Sequence, residues 1–110
     1  MTAPRAGLYP VFDGHNDLAW ACRETRGYGV AGLDELQPGL HTDLTRLEQG
    51  GVAAQFWSVW VDPVLADAEQ AVATLEQIDF VQRFIEAYPD RLQFARTAGE
   101  VREAMSAGRI

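Results

Sequence analysis

His15 and Asp17 stand one residue apart in the stretch Phe12-Asp13-Gly14-His15-Asn16-Asp17-Leu18-Ala19-Trp20. An imidazole offers a neutral nitrogen and a carboxylate a charged oxygen, a donor pair that suits a borderline cation such as Zn2+. In extended chain the side chains alternate. If a strand through Val11 runs on past Gly14, then Val11, Asp13, His15 and Asp17 share one face. His-x-Asp is then a two-pronged clamp, and Gly14 lets the backbone approach closely. The same letters have a plainer reading. Asp-Gly and Asn-Asp are turn dipeptides, and the stretch could simply end a strand and enter a helix. Spacing alone leaves both readings open.

The other chemically capable residues carry weaker signals. His41 precedes a helix start and reads as a solvated or capping residue. Cys22 is the single cysteine; with His15 seven positions away it reads as a small buried hydrophobe rather than a nucleophile. Trp20, Trp57 and Trp60 could line a pocket. Trp57 and Trp60 fall on opposite faces of an extended segment, so at least one belongs to the core. Gln55 and Ser58 are polar positions in an otherwise apolar strand, and each either aims at a site or bonds a neighbouring backbone group.

Composition narrows the function classes. The chain has 110 residues, 47% of them hydrophobic, and a formal net charge of −7. That is enough apolar material for a core and excludes a disordered tail. All the basic residues are Arg, without a basic run, which makes the chain a poor partner for nucleic acid. A lone cysteine excludes an internal disulfide framework. No run approaches the roughly 20 apolar residues of a membrane span. No signal peptide is visible in Met-Thr-Ala-Pro-Arg-Ala-Gly-Leu, so the expected compartment is the cytoplasm.

The elements that must position these residues read as follows. Residues 8–13 form a short strand. Residues 21–40, punctuated by Gly27, Gly29, Gly32, Pro38 and Gly39, are irregular. A short helix follows, capped by Thr42 or Asp43, with Leu44 and Leu47 on one face and Gly50 at its close. Residues 52–61 are apolar on both alternating faces, as in a strand covered on both sides within a parallel sheet. Residues 65–88 form the strongest helix, with Ala68, Val72, Leu75, Ile78, Val81, Ile85 and Tyr88 as its apolar stripe. Asp67, Glu69, Glu76, Asp79 and Glu86 form its wet face, and Pro89 stops it. Residues 91–95 are extended. Thr97 and Glu100 form a capping box for a helix over 98–107, which Gly108 ends.

Alternating β and α with a doubly buried strand predicts an α/β fold with parallel pairing. So few strands cannot complete a parallel sheet. The expectation is therefore the first part of a larger barrel, where sites lie at the carboxyl ends of the strands. An unpaired apolar edge favours self-association into a homo-oligomer.

Beyond these physical readings, the sequence resembles the membrane (renal) dipeptidase family of zinc peptidases, family M19. Phe12 to Trp20 is similar to the family's first-strand signature. Gly50-Gly51-Val52-Ala53-Ala54-Gln55-Phe56-Trp57-Ser58-Val59-Trp60-Val61 is similar to its second strand, and residues 73–110 to the helices that follow. The resemblance runs from about Val11 to Ile110. It implies the N-terminal part of a (β/α)8 TIM-barrel metallohydrolase, truncated after roughly the first two β/α units, with residues 1–110 as one incomplete domain. It further implies two zinc ions, with His15 and Asp17 as ligands of one and Asp13 as an outer partner orienting His15 or the backbone. In such an enzyme a metal-bridging hydroxide attacks the peptide bond of a dipeptide substrate. The bridging Glu, the later His ligands and the substrate-gripping residues would lie beyond Ile110, so the chain alone is expected to be inactive. Two other functions fit the residues: the same barrel acting on another small amide or lactone, and a non-catalytic α/β segment that associates with a partner chain.

Overall fold

A computed structural model describes residues 9–110. Two short parallel strands, β1 (Val11–Asp13) and β2 (Val52–Gln55), pair side by side. Between them come α1 (Leu18–Arg26) and α2 (Leu44–Gln49); after β2 come the long α3 (Asp67–Ala87) and α4 (Ala98–Ser106). The result is a mixed α/β arrangement. The predicted strand over 8–13 is seen from Val11 onward, and Leu8 lies outside the described residues.

The register aligns Val11 with Val52, Phe12 with Ala54 and Asp13 with Gln55, with an irregularity after Val11. Asp13 and Gln55 thereby become neighbours at the carboxyl ends of both strands. The predicted strand over 52–61 stops at Gln55, and its residues are half-buried rather than covered on both faces. The cause is the partner's length: β1 ends at Asp13 and has no further ladder to offer. Two backbone bonds still hold the following segment to the first, Phe56 N–H donating to Asp13 O (2.9 Å) and Ser58 N–H to Asn16 O (3.0 Å).

Helix α1 corrects the expectation of an irregular 21–40. Leu18, Ala19 and Cys22 bury one face of it. The Asn16 side-chain oxygen accepts from the Leu18 N–H (3.1 Å) at its start. Gly27 closes it in the left-handed region at φ 54°, where a β-carbon would be strained. Residues 28–40 remain a loop, as expected.

The second correction concerns α3. Its helical span agrees with expectation, but its buried face is Ala73, Gln77, Phe80 and Phe84, while Val72, Leu75 and Ile78 of the predicted stripe are exposed. Both sets have helical spacing, and the aromatic one wins because rings bury more area. Phe84 stacks with Phe80 and meets Trp57 edge-to-face at 5.3 Å. Val81, Ile85 and Tyr88 flank this core. The predicted wet face holds: Asp67, Glu69, Glu76, Asp79 and Glu86 are all exposed.

Local signals serve better elsewhere. Asp43 caps α2 by accepting from the Arg46 N–H at 2.8 Å. Thr97 accepts from the Glu100 N–H at 3.1 Å. The Glu100 carboxylate, however, takes the amide of Arg96 rather than that of the cap residue. After Tyr88 the chain turns at Pro89, and residues 91–93 bond Ile110 through two backbone contacts (Gln93 N to Ile110 O, 3.0 Å; Ile110 N to Arg91 O, 2.8 Å).

Candidate metal and substrate site

His15 and Asp17 come together just beyond β1. The His15 Nε2 lies 3.0 Å from the Asp17 Oδ1, with both side chains more exposed than buried (63% and 51%). They project to the same side, but not by strand alternation, because β1 ends at Asp13. Local turns do the work instead. The Asp13 carboxylate accepts from the His15 backbone N–H (3.5 Å) and the Asn16 side chain from the Leu18 N–H. Side chains that take nearby amides in this way draw the backbone out of extended geometry. The turn is what brings the two side chains together.

Donor atoms that share a tetrahedral zinc with bonds of about 2.0–2.1 Å sit roughly 3.3 Å apart. The observed separation and the pairing of an imidazole nitrogen with a carboxylate oxygen fit that requirement. A pair does not close a site, since catalytic zinc takes three protein ligands and a water. Among the described residues, no group of three or more His, Cys, Asp or Glu side chains could hold a metal ion.

The pair opens onto a cleft of about 460 Å³. One wall is a face of α1, including Trp20, Ala21 and Thr25; the other is the loop from Gly39 to Thr42. Trp20 lines this cleft. Its ring meets Trp60 edge-to-face at 5.0 Å and carries the Arg23 guanidinium 4.6 Å from its centroid. Trp57 belongs to the core, whereas Trp60 is 45% exposed.

Sequence reasoning passed over three contributors. His41 is exposed, as expected of a solvated residue, yet it stands on the far wall of the cleft. Asn16 joins both sides, its Oδ1 accepting from Leu18 and from the Thr42 hydroxyl (3.2 Å). Asp43, fully buried, does more than cap: its Oδ2 accepts from the Arg46 Nε (2.7 Å) and the Gln37 N–H (2.9 Å). Arg46 in turn donates to the carbonyls of Gln37 (2.8 Å) and Leu40 (2.6 Å). Burial pushes the Asp43 carboxyl up, but the amides of Gln37 and Arg46 and the guanidinium outweigh it, so its pKa lies below the usual carboxylate value. This staple holds the loop that forms the far wall. Its signal was present in the sequence as a cap residue followed at i+3 by Arg.

Gln55 aims at the site and Ser58 does not. The Gln55 amide reaches the Asp13 carboxylate (2.8 Å) and Asn16 (3.4 Å). The Ser58 hydroxyl accepts from the Trp60 N–H (3.0 Å). Cys22 is buried, and desolvation raises its pKa to about 11 despite Arg26 nearby, so it has no thiolate character at neutral pH. No helix among the described residues is long and apolar enough to cross a membrane.

Comparison with known proteins agrees with the resemblance. The profile of the membrane dipeptidase family, peptidase family M19, matches residues 7–110. The chain is 40% identical over 112 residues to the dipeptidase verJ of Clonostachys rogersoniana, covering 92% of this chain and 29% of that protein. It is 39% identical over 111 residues to the dipeptidase ataJ of Aspergillus terreus, covering 92% of this chain and 27% of that one. The chain thus spans less than a third of the length of these relatives. A parallel strand pair carrying Asp-Gly-His-Asn-Asp at its end, together with a family match over nearly the whole sequence, places this chain in the membrane dipeptidase family, M19.

Proposed function

We propose that this chain is the N-terminal segment of a zinc-dependent dipeptidase built as a (β/α)8 barrel, and that His15 and Asp17 supply one zinc ion with two of its ligands. The observation that carries the reading is the 3.0 Å approach of the His15 Nε2 and Asp17 Oδ1 at the mouth of a cleft. Family membership supports the reaction class, and the parallel strand pair supports the barrel.

When bound, zinc lowers the pKa of a coordinated water to about 7 and polarises a carbonyl. The residues of this chain hold and shape. His15 offers a neutral nitrogen, and Asp17 a negative charge that offsets the cation. Asp13 holds the backbone amide of His15 rather than its ring. Trp20 and the loop at Gly39–Thr42 bound a space that suits a small substrate such as a dipeptide. The bridging carboxylate and the second ion's ligands belong to later strands, so the 110-residue chain by itself is inactive.

The test is made in the complete enzyme, with zinc content measured by elemental analysis and turnover on a panel of dipeptides, small amides and lactones. His15→Ala and Asp17→Ala each remove a ligand. Each should lower the zinc content from two ions per chain toward one, and turnover by more than the roughly 10–100-fold that follows loss of an outer-shell partner. Full zinc and full rate in both variants would reduce the stretch to an ordinary turn. Hydrolysis of lactones alone would keep the metal site and reassign the substrate.

A further inference from the structure

We propose that Gln55 is a positioning residue that holds the His15–Asp17 pair in its converging geometry. This rests on the reading of that pair as zinc ligands. Among the described residues, the only polar contact either side chain makes is with the other. No buried group grips the imidazole or the carboxylate, so their placement is set by the backbone from Asp13 to Asp17.

One side chain contacts the residues that flank His15 on both sides, Asp13 and Asn16. The Gln55 Nε2 donates to the Asp13 Oδ2 (2.8 Å) and to the Phe56 carbonyl (3.1 Å) and lies 3.4 Å from the Asp13 carbonyl, while its Oε1 accepts from the Asn16 Nδ2 (3.4 Å). Asp13 in turn accepts from the His15 amide. Asn16, the residue between the two ligands, passes the constraint to the Leu18 amide and the Thr42 hydroxyl. A neutral amide is the group this place requires, with a donor facing a carboxylate and an acceptor facing an amide. A carboxylate at position 55 would keep the contact to Asn16 and set two acceptors against each other at Asp13. The backbone bonds Phe56 N to Asp13 O and Ser58 N to Asn16 O do not depend on the side chain, so the strand ends stay joined when it is changed.

The experiment uses the complete apo-enzyme and reads zinc affinity by competition with a chromophoric chelator, alongside the melting temperature of the metal-free protein. His15→Ala identifies which zinc-binding step belongs to this pair. Gln55→Glu should weaken that step about 10–100-fold, with the metal-free melting temperature little changed. In the double variant Asp13→Asn, Gln55→Glu the amide and the carboxylate exchange places: the side-chain contact between positions 13 and 55, the contact to Asn16 and the acceptance from the His15 amide can re-form, while the donations to the Asp13 and Phe56 carbonyls stay lost, so part of the affinity should return. The positioning role is overturned if Gln55→Glu binds zinc within twofold of the wild type, if the double variant recovers nothing, or if the loss of affinity follows a fall in metal-free melting temperature. Unchanged zinc binding in His15→Ala would instead overturn the ligand reading on which the role depends.

Discussion

Asp43 shows how much one residue can do when buried groups must be satisfied. It is fully buried, yet its oxygens take two backbone amides and the Arg46 guanidinium. These contacts favour the ionised form and hold its folded pKa below the unfolded value of about 3.9. A depressed carboxylate pKa gives stability that is fully present above the unfolded pKa and is lost as pH falls through the folded one. Asp43→Asn retains a capping oxygen but not the charge. It should therefore cost about 2 kcal/mol at pH 7, and its deficit relative to the wild type should shrink below about pH 4. Melting curves of the complete enzyme at pH 7, 5 and 3 check this. A deficit that is constant across that range would remove the ionised Asp43–Arg46 contact from the account. The same change should loosen the Gly39–Thr42 wall and raise KM more than it lowers kcat.

At the scale of elements, α3 decides what the core is. Its aromatic face packs against Trp57, Tyr28 and Tyr88, and Gln77 donates to the Trp60 carbonyl from within it. That face fixes where the segment after β2 runs, and so where Trp60 meets Trp20 beside the cleft. A pair of substitutions separates this arrangement from the alternative stripe. Phe84→Ala removes a fully buried ring and should destabilise by about 3–5 kcal/mol. Leu75→Ala acts on a side chain that is 67% exposed and should stay within about 0.5 kcal/mol. Denaturant titration followed by tryptophan fluorescence measures both. Comparable losses at the two positions would mean that Leu75 is covered in the complete protein.

At the scale of the molecule, the arrangement of the described residues is open. Its radius of gyration is 14.4 Å, against about 13 Å for a compact domain of this size. Among the described residues the sheet consists of β1 and β2, so each strand leaves an edge unpaired there. Tyr9, Phe12, Phe56, Val64, Leu75 and Phe94 are all more than half exposed. Unpaired edges and apolar surface of this kind drive association. The 110-residue chain expressed alone should be oligomeric or aggregated by light scattering, and dipeptide hydrolysis should be undetectable. A monodisperse monomer with cooperative unfolding would show that the segment is a self-sufficient domain.

Much of this was legible in the residues themselves. The Asp43 and Thr97 caps, the stop before Pro89 and the ends at Gly50 and Gly108 follow from groups within about four positions of each other, so local chemistry settles them. His15 and Asp17 could be picked out as a donor pair for the same reason. Tertiary structure decided the rest. The start of α1 depended on the Asn16 side chain, which the glycine-rich stretch after it obscured. The two stripes on α3 are equally periodic, and the choice between them lay with Trp57, which is 27 residues from Phe84 in sequence and 5.3 Å away ring to ring. The role of Gln55 appeared only when parallel pairing set it beside Asp13, 42 residues earlier. Periodicity states which faces an element can bury, whereas the surface it meets, brought from far along the chain, determines which one it does.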